Sequence, residues 1–298
     1  MSLKSKIKRA GRFVLSNMGH AVRVEQSFRD VSELLKGRRI VVTGGTSGIG
    51  YATAKACLRA GAKVVVTSRS LERAEEAASR LGAGASGVTL DLANAEGMAA
   101  QVDAIYVASC GGVDALVNNA GVLKGAPFGK TSIESFDEVV GANLRGTYFL
   151  TQEVARRMVA DKVGGNIVFV TSSSAYRPAT NAYSCTKWAL RGLMEGTAKM
   201  LAPHGIVVNA VAPGPTATAM LLEGDMGNVM RPDSPIGRYV SPEEIAEMIV
   251  TLLSDASRSV VGDTVRMCGG SGVVTFDDVD ATFEVYKGHG VGQQRKAN

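Results

Sequence analysis

The sequence predicts an α/β domain built on a doubly wound parallel sheet. Three observations carry that prediction. From residue 38 onward, short apolar runs alternate with helix-like segments. Most of these runs are continuously apolar, the pattern of strands buried on both faces. A glycine-rich turn, Thr43-Gly44-Gly45-Thr46-Ser47-Gly48-Ile49-Gly50, joins the first run to the first helical segment. Repeated strand–helix–strand order implies right-handed crossovers, with helices on both sides of the sheet.

The expected strands are Arg39–Thr43, Lys63–Thr67, Gly87–Leu90, Ala115–Asn118, Asn166–Thr171, Ile206–Val211 and Thr264–Met267. The expected helices cover 48–60, 70–81, 95–108, 133–160, 181–202 and 242–254. Gly61 and Gly82 stand where helix C-termini call for glycine. Ser241-Pro242-Glu243-Glu244 offers an N-cap serine, a proline in the first turn and a glutamate at the capping-box position. Residues 1–36 and 273–298 fall outside the alternation. One domain over 37–272, with an N- and a C-terminal extension, is therefore expected.

Net charge is +5 over 298 residues, but it is unevenly placed. Residues 1–24 carry Lys4, Lys6, Lys8, Arg9, Arg12 and Arg23 and no acid, which leaves the rest close to neutral. A near-neutral body argues against nucleic acid as a partner. The chain has 4 cysteines, Cys57, Cys110, Cys185 and Cys268, without metal-ligand spacing. A reduced, cytoplasmic protein with no metal site is expected. No apolar run reaches the roughly 18 residues that a spanning helix needs.

The chemistry lies at the strand ends. Glycines in the first turn let backbone approach a pyrophosphate, whose charge the amides of a helix N-terminus attract. The spacing is G-x-x-x-G-x-G, not the commoner G-x-G-x-x-G. The second strand ends Val66-Thr67-Ser68-Arg69. An acid there would bind a ribose 2′-hydroxyl, whereas an arginine accommodates a 2′-phosphate. Ser68 and Arg69 thus point to NADP (NADPH) ahead of NAD. Tyr183-Ser184-Cys185-Thr186-Lys187 puts a phenol and an ammonium one turn apart on a helix face. A phenol titrates at about 10. A neighbouring cation is expected to lower that value, which suits proton exchange with an alcohol or ketone. The pair follows a strand ending in Thr171-Ser172-Ser173-Ser174.

Together these residues resemble the short-chain dehydrogenase/reductase superfamily in its compact single-domain form. The ordered motifs are Thr43-Gly44-x-x-x-Gly48-x-Gly50, Asp91, Asn118-Asn119-Ala120-Gly121, Asn143, Ser172, Tyr183-x-x-x-Lys187 and Pro213-Gly214-x-x-x-Thr218. They run from about Gly37 to Gly272 and are nearest to 3-oxoacyl-carrier-protein reductases and generic ketone/alcohol members. The resemblance implies a Rossmann-type fold. Gly44, Ser47, Gly48, Ile49, Gly50, Arg69, Asp91, Asn119, Tyr183, Lys187, Pro213, Thr216 and Thr218 would bind the cofactor. Asp91 would meet the adenine, Asn119 the adenosine ribose and Thr218 the nicotinamide carboxamide. Tyr183 would be the general acid or base, and Lys187 would hold the nicotinamide ribose. Ser172 would donate to the reacting oxygen, and Asn143 would hold a water linking Lys187 to solvent. The Ser172–Tyr183 interval is short for the family, which keeps Ser173 as an alternative. Cys268 stands where the family often has an acid.

The chemistry so implied is hydride transfer. Addition of hydride makes an alkoxide, which donors aimed at its oxygen stabilise. The cofactor carries the hydride; protein supplies position and field. The expected protein is an NADP(H)-dependent oxidoreductase acting on a small-molecule carbonyl or secondary alcohol. The alternative is a nucleotide-binding scaffold or sensor that has lost turnover; the filled catalytic positions favour the enzyme. A homotetramer pairing helices 133–160 and 181–202 across two-fold axes is expected. Ala219–Met226, with Val229 and Met230, reads either as an apolar lid over substrate or as packing against the body. Leu123, Phe128, Tyr176 and Arg177 are candidates for the pocket border. Residues 3–18 read as a basic amphipathic helix: a transit peptide, a membrane-surface helix, an arm on a partner subunit or a solvated tail. Peripheral membrane contact through 1–24 is one of these outcomes. The other end carries Asp277, Asp278, Asp280 and Glu284 before a glycine-rich basic terminus. It could pair with the N-terminal bases.

Overall fold

The computed structural model describes residues 30–124, 126–218, 229–231 and 234–272. The segments 1–24, 219–226 and 273–298 lie outside the described residues. A 7-stranded sheet forms the centre, in the order β3-β2-β1-β4-β5-β6-β7. The strands are β1 Arg39–Val42, β2 Lys63–Ser68, β3 Ala85–Thr89, β4 Ala115–Asn118, β5 Asn166–Val170, β6 Val207–Pro213 and β7 Thr264–Met267. Every neighbouring pair is parallel. The helices are α1 Gly48–Arg59, α2 Leu71–Leu81, α3 Met98–Ala108, α4 Ile133–Val140, α5 Thr147–Ala160, α6 Ala182–Leu201 and α7 Pro242–Leu253.

The apolar strands bury both faces because successive side chains point to opposite sides. Val42, Val64, Val66, Val117 and Val168 face Ala56 of α1, Ala77 of α2 and Ile249 of α7. Val41, Val65, Leu116, Ile167 and Phe169 face Ile105 of α3, Val154 of α5 and Met194 of α6. Each fully buried Val, Leu or Ile side chain contributes about 1.5–3 kcal/mol relative to exposure. Order reverses between β1 and β4, which opens a crevice at their C-terminal ends, the usual ligand position in such sheets. The expected α7 capping box forms: Ser241 Oγ accepts from Glu244 N at 3.1 Å, and the Glu244 carboxylate accepts from Ser241 N at 2.8 Å.

Several boundaries differ from the sequence-based expectation: α3 begins at Met98 rather than 95, β6 runs on to Pro213, and two further differences have a visible cause. Strand β3 begins at Ala85, because Ala85, Ser86 and Gly87 pair with Val64, Val65 and Val66. Gly87 there admits the backbone of α2, which any side chain would strike at Ala74. The helical run 133–160 contains a π-helical segment, Gly141–Gly146. A side chain at Gly146 would collide with the Leu92 carbonyl.

No helix among the described residues is long and apolar enough to cross a membrane.

Candidate active site

The first turn and the end of β4 are laced together. Thr43 Oγ1 accepts from Asn119 N and Ala120 N, each at 2.9 Å, and donates to Val117 O at 3.2 Å. Asn119 Nδ2 donates to Thr43 O at 2.9 Å and Gly44 O at 3.2 Å. Asn119, expected at a ribose, is thus also the brace that shapes the turn. Gly44 and Gly48 adopt positive φ, +63° and +53°, which glycine alone takes without strain. A Cβ at Gly48 would reach Thr218 Cγ2 at 3.4 Å, so the turn and the segment after β6 face each other.

This cradle fits a dinucleotide. Ser47, the N-cap of α1, makes no side-chain capping bond. Ser70, Ser132, Asn181 and Ser241 do cap their helices. The first amides of α1 therefore have no capping side chain and suit an anion. Ile49 lies behind them, packed against the core. Arg69, just past β2, is exposed, and its side chain makes no hydrogen bond or ion pair among the described residues. Asp91 follows β3 and accepts from Ala93 N at 3.0 Å. Gln101 of α3, which the sequence did not mark, clamps the Asp91 backbone, accepting from its N at 2.6 Å and donating to its O at 3.2 Å. Pro213 ends β6, and Thr216 Oγ1 turns back to Gly214 O at 2.9 Å. A Cβ at Gly214 would lie 2.7 Å from Cys268 Cα, so Cys268 is a packing neighbour of this segment.

Ser172, Tyr183, Lys187 and Asn143 converge from three elements. Asn181 caps α6 by accepting from Ser184 N at 2.8 Å, which fixes the turn that carries Tyr183. Lys187 is buried; its Nζ lies 5.5 Å from the Tyr183 ring centroid and donates to Val170 O at 2.9 Å. Ser172 leaves β5 in extended conformation and donates to Ser174 Oγ at 3.1 Å. Of the two candidate serines, Ser172 is the one whose hydroxyl acts on the Tyr183 phenol, in the direction that favours phenolate. Ser173 is buried in the following turn. Asn143 sits in the π segment, its Oδ1 accepting from Val122 N at 2.7 Å and its Nδ2 donating to Val122 O at 3.0 Å. It also reaches Thr186 Oγ1 at 3.5 Å, between Tyr183 and Lys187.

Electrostatics correct one expectation. Burial pushes the Tyr183 phenol above its ordinary value, and the nearby Ser172 hydroxyl only partly opposes that. Burial also lowers Lys187 to about 8. Lys187 does not drag the phenol down here, because the same dry surroundings disfavour both charges.

Phe128, Ile133, Phe136, Ala179 and Cys185 line a cleft of about 380 Å³ beside the first turn of α6, and Ser172, Tyr183 and Lys187 are not in its lining. Leu123 is 50% exposed. Tyr176 and Arg177 belong to an arginine–aromatic patch after the Ser172 turn. Among the described residues no group of His, Cys, Asp or Glu could hold a metal ion.

Comparison with known proteins agrees with the geometry. A family model described as Enoyl-(Acyl carrier protein) reductase matches residues 44–271. A 3-oxoacyl-[acyl-carrier-protein] reductase of Aquifex aeolicus is 36% identical over 244 residues, covering 79% of this chain and 98% of that protein. An L-rhamnose 1-dehydrogenase (NAD(P)(+)) of Azotobacter vinelandii is 38% identical over 251 residues, covering 80% and 97%. A solved structure described as a short chain dehydrogenase/reductase family protein superposes with TM-score 0.73 at 37% identity, over 81% of this chain and 100% of that one.

Proposed function

Because the chain belongs to the short-chain dehydrogenase/reductase superfamily of oxidoreductases, we propose that it is an NADP(H)-dependent reductase of small carbonyl compounds, or the corresponding alcohol dehydrogenase. The proposal rests on one observation: Tyr183, Ser172 and Lys187 gather beyond the C-terminal end of β5, the same edge of the parallel sheet at which the glycine-rich turn follows β1. Residues 37–272 form the catalytic domain in this assignment, with 1–36 and 273–298 as extensions.

Gly44, Ser47, Gly48, Ile49 and Gly50 would hold the pyrophosphate. Arg69 with Ser68 would hold the 2′-phosphate, Asp91 the adenine, and Pro213, Thr216 and Thr218 the nicotinamide end. When bound, the nicotinamide supplies the hydride for reduction or accepts it in oxidation. Tyr183 Oη holds the proton that the substrate oxygen takes up in reduction. Burial keeps that proton in place at neutral pH. Ser172 Oγ donates to the same substrate oxygen and stabilises charge developing there. Lys187, one turn away with its ammonium on the Val170 carbonyl, would hold the nicotinamide ribose. Asn143 ties Val122 to Thr186 and so positions the first turn of α6.

Assembly as a homotetramer is supported by a surface on α4, α5 and α6. Ile133, Phe136, Tyr148 and Phe149 are exposed. Cys185, Ala189, Gly192 and Gly196 form an exposed strip of small residues that would let another helix approach closely. Free thiols at Cys57, Cys110, Cys185 and Cys268 support a reducing, cytoplasmic setting. The arm 1–24 would serve location or assembly rather than catalysis; salt-sensitive sedimentation with anionic vesicles tests its membrane contact.

The deciding experiment is a panel of ketones, keto-esters and acyl thioesters assayed by NADPH absorbance. Turnover of at least one class is expected. Tight NADPH binding with no turnover across the panel would favour the sensor.

A further inference from the structure

Two arginine guanidiniums converge on one aromatic patch beyond the Ser172 turn, and a third arginine, Arg177, flanks it through its backbone. The guanidinium carbons of Arg191 and Arg266 lie 4.6 and 5.2 Å from the Tyr176 ring centroid. Arg191 also reaches the Trp188 ring at 5.8 Å, and Trp188 Nε1 donates to Arg177 O at 2.8 Å. Such contacts hold the cations in place without neutralising them. Arg191 pairs with Glu195 at 3.2 Å. The guanidiniums of Arg177 and Arg266 are exposed and have no anionic partner among the described residues. Trp188 is 41% exposed. The patch is therefore a cationic, aromatic surface with unmatched charge.

The chain leaves its described part at that same place. Gly272 lies against the Arg177 guanidinium so closely that any side chain there would collide with it. The family match ends at residue 271, so residues 273–298 are an addition to the shared fold. Residues 273–286 carry Asp277, Asp278, Asp280 and Glu284 with no base among them, and Phe276, Phe283 and Tyr286 in between. At about 3.6 Å per residue, Asp277 stays within about 18 Å of Gly272 and Glu284 within about 43 Å. The segment is thus acidic, aromatic and tethered beside unmatched arginines. Single exposed ion pairs contribute little. Tethering raises the effective concentration of the segment to the order of millimolar, so several weak pairs together suffice.

We propose that residues 273–286 dock on the chain's own Tyr176–Trp188 patch. Their carboxylates pair with Arg177 and Arg266, and their apolar side chains cover Trp188. The chain has 1 tryptophan, Trp188, so its emission reports this one place.

The test uses the full-length protein and acrylamide quenching of Trp188. The variant Asp277→Asn/Asp278→Asn/Asp280→Asn/Glu284→Gln should raise the quenching constant and shift emission to the red. Arg177→Gln/Arg266→Gln should do the same, while Arg177→Lys/Arg266→Lys should keep much of the protection. Combining the tail and glutamine changes should add nothing further, because both remove one interaction. Raising salt should increase quenching in the wild type and leave the tail variant unmoved. An unchanged quenching constant in the tail variant, or strict additivity, would overturn the proposal. So would protection lost on dilution, which would assign the docked tail to a second copy. The same rise on neutralising Lys4, Lys6, Lys8, Arg9 and Arg12 would instead seat the tail on the N-terminal arm.

Discussion

Lys187 sits one helical turn from Tyr183, yet its ammonium is bonded to the Val170 carbonyl and not to the phenol. The cation is anchored to the sheet at the end of β5, and burial, not this cation, sets the direction of the Tyr183 shift.

Replacing Tyr183 by Phe is expected to abolish turnover and leave NADPH affinity nearly unchanged. The change removes the proton donor but little volume. Steady-state rates and cofactor titration check both halves. Retention of most of the wild-type rate would reject Tyr183 as the acid.

Lys187 predicts a pH signature. Its buried ammonium is lost as pH rises through about 8, so kcat/KM for carbonyl reduction should fall above that value. Stability should move the other way. Between about 8 and 10.5 the unfolded chain binds a proton that the folded chain has released, so folding becomes more favourable as pH rises. Below about 8 the full cost is present, about 3 kcal/mol. Lys187→Met should therefore raise stability at pH 7 by up to that amount, less the cost of an unpaired Val170 carbonyl, and flatten the alkaline rise. Urea melts from pH 7 to 10.5 would show it; a destabilised Met variant would contradict the burial argument.

Arg69 should set cofactor choice. A charge-assisted bond to a phosphate is worth about 1.5–3 kcal/mol, so Arg69→Ala should weaken NADPH about ten- to a hundredfold. NADH, which lacks that phosphate, should change little. Equal wild-type affinity for both cofactors would remove Arg69 from this role.

The small-residue strip on α6 should mark a subunit contact. Gly192→Leu should dissociate the assembly without unfolding the protomer. No atom lies within 4 Å of a Cβ added at Gly192, and leucine is the better helix former. Light scattering at micromolar concentration reads the result. A monomeric wild type would refute the assembly, and a tetrameric variant would place the contact elsewhere.

The reach of each physical signal decides how much of it a sequence can carry. Strands such as Ile167–Phe169 announce themselves because burial on both faces demands an unbroken apolar run. Strand β3 does not, since Ala85, Ser86 and Gly87 are small to admit α2, a neighbour invisible in the local pattern. Tyr183, Lys187 and Ser172 are legible from spacing on helix and strand. The direction of the Tyr183 shift is not, because burial is a tertiary property. Gln101 gives no signal at all: its value lies in reaching back to the Asp91 backbone from another element. The double use of Asn119 is hidden for the same reason.

The π-helical segment Gly141–Gly146 has a consequence for insertions and deletions. A π turn is an α-helix carrying a surplus residue. Deleting one residue between Gly141 and Gly146 would let the hydrogen-bond ladder close as ordinary α-helix. The helix beyond would keep its phase, because about six π residues turn through as much as about five α residues. Leu150, Val154 and Met158 would stay on the core face they now fill, while Asn143 would lose the bulge that aims it at Val122. The surplus residue thus serves the placement of one amide and not the packing of the helix, and its loss should spare the core.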